Sequence, residues 1–146
     1  MKFNATYSIP AAREKVFTLL TDPAVLQRCI PGCEKIERTS EDHYNAHLKI
    51  AVAGLKGNYV GQVNLHNKIP PESCKLLMEG KGGRGFLKGS GHIQLTDKSP
   101  QTEIRCDAEI QVGGMIALVG SRLVEVMGKK MLDDFFKNFA NELSNQ

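Results

Sequence analysis

At Gly113-Gly114 the hydrophobic pattern of the chain changes its period, and this change constrains the fold more than any other feature. Before it, apolar residues recur at every second position. After it they recur every three or four residues, at Ile116, Leu123, Met127, Met131, Phe135 and Phe139, as far as about Leu143. The first pattern is that of strands with one greasy and one wet face; the second is that of one long amphipathic helix. At 1.5 Å per residue such a helix spans about 43 Å, against ~36 Å for an eleven-residue strand, so it is expected to lie across the whole greasy face of a sheet.

Phe3, Ala5, Tyr7 and Ile9 alternate with Asn4, Thr6 and Ser8, which predicts a first strand ending at Pro10. Two short helices follow: 12–20, with Val16, Phe17 and Leu20 on one side, and a second with Asp22 as N-cap and Pro23 at its first position. Ile30-Pro31-Gly32 closes that pair. Six further strands are predicted at 33–39, 43–53, 57–67, 73–80, 86–96 and 102–112, separated by turn signals such as Pro70-Pro71. Their connections are too short for parallel crossovers, so the meander is antiparallel. The fold class expected is α+β, in the order β-α-α-β6-α, with a seven-stranded curved sheet wrapped around a C-terminal helix. At about one domain per 100 to 200 residues, residues 1–146 form a single domain.

Several function classes are disfavoured. The net charge is only +3 and the acidic residues are spread along the chain, so a nucleic-acid partner is not expected. The longest aliphatic run, Met115 to Val119, is far short of the ~20 apolar residues of a membrane span. Residues 1–9 hold no signal-peptide stretch, which predicts a cytoplasmic location and reduced thiols at Cys29, Cys33, Cys74 and Cys106. Gly80-Lys81-Gly82-Gly83-Arg84-Gly85 matches G-x-G-x-x-G, but it leads into a strand rather than a helix N-terminus, so it reads as a hairpin turn. Cys29 and Cys33 have neither redox nor zinc-site spacing, and no metal or cofactor is expected.

An enzyme needs an acid or base on the apolar parity, and the candidates there are few. Tyr7 and Tyr59 point inward; His47, His66, His92, Asp107 and Glu109 take the polar parity, and no catalytic residue is assigned. Gly61, Gly89 and Gly91 inside strands mark bends or close approaches. Met115, Met127 and Met131 give the helix a face that adapts to irregular apolar shapes, while Gly120 and Gly128 mark close sheet contact or open space. Arg122, Lys129, Lys130 and Lys137 read as a solvated face.

The order strand, two helices, six strands, long helix is that of the helix-grip fold. Cys29-Ile30-Pro31-Gly32-Cys33-Glu34, Gly85-Phe86-Leu87-Lys88-Gly89 and Gly113-Gly114-Met115-Ile116-Ala117-Leu118-Val119-Gly120 resemble the carbon monoxide dehydrogenase G-subunit (CoxG) family of the START-like superfamily, over nearly the whole chain. The resemblance implies an accessory protein rather than a catalyst. Its partners would be a carbon monoxide dehydrogenase or related molybdenum hydroxylase, a quinone- or lipid-like ligand, and peripheral contact with the inner face of the membrane. Some members carry a C-terminal membrane-holding extension; here the helical pattern runs to the end of the sequence, and autonomous anchoring is not expected.

The ligand is expected in a cavity between the sheet's apolar face and the helix. Its mouth would be ringed by Leu26, Cys29, Ile30, Phe86, Leu87 and the junction carrying Met115 and Ile116. Leu48, Ile50, Tyr59, Val63 and Met78 would form one wall, Ile104, Cys106 and Ala108 another, and Val119, Leu123 and Met127 the helix side. Two rivals remain: a cyclase- or hydrolase-like enzyme, favoured if His47 or His66 faces the cavity beside a carboxylate, and an assembly adaptor with a filled core. Leu123→Asp is expected to abolish ligand uptake or folding, and Lys129→Ala to do neither.

Overall fold

The chain's first strand pairs with its last. In the computed structural model, which describes residues 1–52 and 54–144, β1 (Lys2–Ile9) runs antiparallel to β7 (Gln101–Gly113), from Lys2 opposite Glu109 to Ile9 opposite Thr102. Between them lie α1 (Arg13–Leu20), α2 (Pro23–Cys29), β2 (Cys33–Ser40), β3 (His43–Ile50), β4 (Gly57–Ile69), β5 (Ser73–Gly82) and β6 (Gly85–Lys98). The seven strands form one antiparallel sheet in the order β1-β7-β6-β5-β4-β3-β2. The alternation expected from the sequence holds: Tyr44 and Ala46, or Ile104 and Cys106, are buried on the concave face, while His43, His47 and Arg105 are exposed on the convex one.

Local chemistry fixes the two short helices at one end of this sheet. Proline cannot continue the β1 ladder, and the corner after it is tied to β7 by Thr102 Oγ1, which donates to the Ala11 carbonyl at 2.7 Å. Asp22 caps α2 by accepting from the Ala24 N–H at 2.9 Å, with Pro23 at the first helical position. The last carbonyl of α2, on Cys29, has no partner within its helix and accepts instead from Asn138 Nδ2 at 3.0 Å. Arg28 pairs with Glu142 across the same junction.

Two expectations need correction. The C-terminal helix is not continuous: α3 (Met115–Leu118) is a single turn, and α4 (Ser121–Ser144) restarts after a break. Gly120 adopts φ +95°, a left-handed conformation that glycine reaches without a Cβ clash, and the α-helical ladder ends there. The restart also resets the phase of the helix. Val124, Phe136, Phe139 and Leu143 are its buried residues, so at the N-terminal end the inward position is Val124, at 7 % exposure, and Leu123 is 36 % exposed. Second, α4 does not cover the whole greasy face. With 24 residues it spans about 36 Å, but it packs along β1 and α2. At Gly128 it comes so near that a Cβ would stand 2.6 Å from Phe3 Cε1.

The ends of the strands differ in small ways. β3 ends at Ile50 rather than at residue 53, which lies outside the described residues; β4 and β6 run two residues longer than expected at their C-terminal ends. Among the described residues no helix is long and apolar enough to cross a membrane.

The densest packing is at the α1 and α2 end, where Ile9, Val16, Val25, Ile104 and Phe139 are almost completely buried. Tyr7 stacks on Phe136 at 4.3 Å between centroids, and Phe135 meets Phe136 edge-on at 4.9 Å. Phe139→Ala is therefore expected to destabilise the fold by about 3 to 5 kcal/mol, measured from chemical denaturation midpoints. The helix phase makes a second expectation: Val124→Asp, which buries an unpaired carboxylate, costs more than about 2 kcal/mol in the same assay, whereas Leu123→Asp costs less than about 1 kcal/mol.

Candidate ligand cavity

Because α4 leans on β1 and α2, the middle of the concave face is left uncovered by it. A cavity of about 290 Å³ remains there. The floor is made by inward side chains of β4 to β7, among them Val63, Leu65, Leu76, Met78, Ile93 and Cys106. Phe17 and Leu20 of α1 and Leu26 and Ile30 of α2 close one side, and Leu132, Phe135 and Phe136 of α4 close another. Phe3, Ile36, Tyr44, Cys74, Leu95 and Ala108 complete the apolar wall.

The floor continues beyond this cavity toward the loop end of the sheet. One rung of paired residues, Tyr44, Val63, Met78, Gly89 and Ile110, lies at its edge. The next rung is Ala46, Gly61, Gly80, Leu87 and Val112, and the one after begins Leu48, Tyr59, Gly82. Gly61 and Gly80 sit side by side on the concave face with free space above them. A Cβ placed on Gly80 would meet nothing within 4 Å, and one on Gly61 only the Glu79 carbonyl oxygen at 3.8 Å. The two glycines thus leave open space on the concave face beyond the cavity, on the side of the β3–β4, β5–β6 and β7–α3 connections. Gly89 and Gly91 differ, because the side chains of Ile110 and Leu76 occupy the space above them.

Polar groups around the cavity are engaged with one another. Tyr44 Oη donates to the Thr21 carbonyl at 2.8 Å, and Arg38 Nη2 donates to the same carbonyl at 2.7 Å and to Tyr44 Oη at 3.2 Å. This ties the α1–α2 corner to β2 and β3. Tyr59 Oη donates to the Leu55 carbonyl at 2.6 Å, and burial raises its pKa. Tyr7 Oη donates to Asp133 Oδ1 at 2.7 Å, and its pKa is raised by burial first and by Asp133 second. Asp133 also accepts from Lys129 Nζ at 2.6 Å; these hydrogen bonds, from Lys129 first and Tyr7 second, hold its carboxyl below the usual range.

The thiols are kept protonated. Burial pushes Cys106 up to about 12 and Cys29 up to about 11, and raises Cys74 and Cys33 as well. All four are free, and no group of three or more potential metal ligands occurs among the described residues. His47 and His66 are exposed on the convex face, away from the cavity. His92 and Asp107 border the cavity through their strands, but their side chains take the convex parity, where Arg105 Nε meets Asp107 Oδ2 at 3.0 Å.

The residues expected to form the site are distributed as follows. Leu26, Ile30, Val63, Met78, Cys106 and Ala108 line the cavity. Cys29 and Ile104 are packed into the core behind it. Leu48, Ile50, Tyr59 and Leu87 are half-buried on the concave face, farther toward the loop end. Phe86 is on the opposite face from Leu87 and 42 % exposed, because the Gly82–Gly85 pairing of the hairpin sends Leu87 inward. Met115, Ile116, Val119, Leu123 and Met127 belong to the α3–α4 corner and the first turns of α4, which the break at Gly120 carries away from the cavity. The strand parity that located Val63 and Met78 also points to Leu65, Leu76, Ile93 and Leu95. Phe17 and Leu20 carried the signal of an apolar helix side.

Comparison with known proteins agrees with this architecture. The chain superposes on a conserved protein from Geobacillus kaustophilus with a TM-score of 0.95 at 34 % identity, covering 99 % of this chain and 96 % of that one. A START superfamily protein from Mycobacterium smegmatis matches with a TM-score of 0.78 at 11 % identity over 99 % and 97 % of the two chains. A Thermus thermophilus protein matches with a TM-score of 0.71 at 13 % identity over 97 % and 95 %. No curated protein sequence matches the chain. The sequence pattern of the carbon monoxide dehydrogenase G-subunit (CoxG) family matches residues 6–144, from β1 to the end of α4. On this START-like, helix-grip fold, the chain belongs to the CoxG family.

Proposed function

We propose that this protein is a non-enzymatic carrier that holds a quinone- or lipid-like molecule in the cavity bounded by the sheet, α1, α2 and one side of α4. The observation that carries the reading is the apolar cavity of about 290 Å³, with open space over Gly61 and Gly80 farther along the same face. That volume lies at the lower end of the range for small-molecule sites, and an elongated ligand could extend from it over the open space at Gly61 and Gly80. Affinity would come from apolar burial at about 25 cal/mol per Å², with Thr21 and Tyr44 as the nearest polar groups. Protonated thiols in the wall are weak nucleophiles and suit a site that must hold an electrophilic quinone unchanged.

The family suggests the setting: an accessory role beside a carbon monoxide dehydrogenase or related molybdenum hydroxylase, in the cytoplasm, against the inner face of the membrane where apolar ligands reside. The non-enzymatic part of the reading is supported by the engaged state of Tyr44, Tyr59 and Tyr7, each of which donates its hydroxyl hydrogen bond to a fixed acceptor. A filled-core adaptor is disfavoured by the cavity.

Native mass spectrometry of the protein as purified, and after delipidation with added short-chain quinones or phospholipids, tests the proposal. One bound apolar molecule per chain is expected; a protein that is empty as purified and ignores both classes of ligand overturns it. Gly80→Leu is expected to fold with an unchanged melting midpoint, because its Cβ enters free space, and to weaken ligand binding by at least about tenfold. A second expectation concerns the thiols: Cys106 in the native protein at pH 8 reacts with a thiol reagent at least about a hundredfold more slowly than in the unfolded chain, followed by peptide mass spectrometry.

A further inference from the structure

We infer that β2, the free edge of the sheet, pairs with β2 of a second copy of this chain in a twofold antiparallel dimer. The inference is independent of the carrier reading. The sheet begins with β1 and ends with β2, and its two edges differ in what lies against them. α4 packs along β1. β2 has β3 on one side and, among the described residues, no strand on the other, so its outward main-chain groups have no ladder partner. Register shifts between Cys33 and Lys35 and between Arg38 and Ser40 bound its regular stretch. Within that stretch Lys35, Ile36, Glu37 and Arg38 stand opposite His47, Ala46, Asn45 and Tyr44. Just outside it, Gln27 Nε2 donates to the Glu34 carbonyl at 3.0 Å.

The side chains of this edge are complementary to themselves. Residues 34–38 read Glu-Lys-Ile-Glu-Arg, and all but Ile36 are exposed. In a twofold antiparallel pair centred on Ile36, each Lys35 stands opposite the other copy's Glu37, each Glu34 opposite the other copy's Arg38, and Ile36 opposite itself. Neighbouring registers fail. Centring the pair on Lys35 or on Glu37 sets two like charges face to face; a centre between residues 35 and 36 opposes Glu34 to Glu37, and one between 36 and 37 opposes Lys35 to Arg38. Opposite charges across an antiparallel pair stabilise it and like charges destabilise it, so the edge selects the Ile36 register.

Charged residues on an edge strand commonly guard it against pairing, but a guard of one sign would repel a second copy in every register. Here both signs are present and balanced about one centre. Lys35 Nζ and Glu37 Oε1 already lie 3.3 Å apart within the strand, so two edges brought together assemble four charges of alternating sign. Arg38 uses Nη2 for the Thr21 carbonyl and Tyr44 Oη, which leaves the other donors of its guanidinium for a facing Glu34. Because Ile36 belongs to the cavity wall, the two cavities would flank the twofold axis. Pairing consumes both free edges, and α4 lies along the opposite edge of each sheet, so assembly closes at two copies. The paired stretch is short and the interface small, which makes the dimer weak.

Sedimentation equilibrium at protein concentrations up to about 1 mM tests the inference: a dimer is expected that dissociates on dilution and on addition of salt. Lys35→Glu alone and Glu37→Lys alone are each expected to weaken self-association at least about tenfold, since each sets like charges opposite one another. The two changes shift the net charge in opposite directions, so a loss common to both is not an effect of net charge. Mixed together, the two single variants are expected to form a heterodimer, and the double variant Lys35→Glu with Glu37→Lys to regain dimerisation within about threefold of the unaltered chain. Hydrogen exchange of the amides at 35–38 should slow as the protein is concentrated. A chain that stays monomeric throughout, a dimer indifferent to both single changes, or single variants that do not pair when mixed each overturns it, as does protection of these amides only when an extended peptide of another sequence is supplied.

Discussion

The packing of the α4 aromatic residues against β1 and the two short helices is the contact on which the rest of the structure depends. Phe136 stacks on Tyr7, Phe139 is completely buried, and Asn138 and Glu142 fasten the same stretch to the end of α2. Burying each of these rings contributes about 1.5 to 3 kcal/mol. With so much of the attraction at one edge and one end, the rod is held there and not over the centre of the sheet. The hollow is the geometric remainder. It persists because the strands beneath it carry glycine, methionine and medium-sized aliphatic groups that do not fill the gap.

The interior is also chemically quiet. Burial keeps the thiols of Cys74 and Cys106 protonated, and the hydroxyls nearest the cavity are bonded to main-chain carbonyls rather than to bases. The tie from Tyr44 and Arg38 to the Thr21 carbonyl stabilises the corner between α1 and α2 and thereby the wall formed by Leu20 and Leu26. A hydrogen-bonded corner at the rim of a greasy compartment leaves no unpaired polar atom of that corner turned toward a bound hydrocarbon.

Much of this fold was legible in the chain. Period-two alternation located all seven strands to within a few residues, because each has one solvated face and its side chains must obey the pleat. Asp22-Pro23 marked a helix start through local hydrogen bonding that tertiary contacts do not override. The long-range parts were less legible. Periodicity measures where apolar residues recur, not where a helix is interrupted, so Gly120 read as a weak point in a single helix rather than as a left-handed break. Once the break is present the phase of α4 is set by Phe136 and Phe139 farther along, and Leu123 and Met127 lose the inward role that spacing assigned to them. The strands' share of the cavity was better anticipated than the helical share, since pleat parity is local and helix placement is a matter of the whole core. Phe86 failed for a different reason: a residue next to a hairpin glycine can take either face, and only the pairing of Gly82 with Gly85 decides it.

The pairing of β1 with β7 has a consequence for how the protein comes into being. Lys2 finds its partner at Glu109, so the amino-terminal strand leaves the ribosome about a hundred residues before the edge it must join. Until then the nascent meander exposes an unsatisfied edge along β6, and much of its oily side stays uncovered until α4 has emerged as well. Late closure of this kind favours slow folding and exposure to aggregation during synthesis. Chaperone protection, or early capture of an apolar molecule by the half-built bowl, would matter more for this chain than for a protein assembled from local contacts.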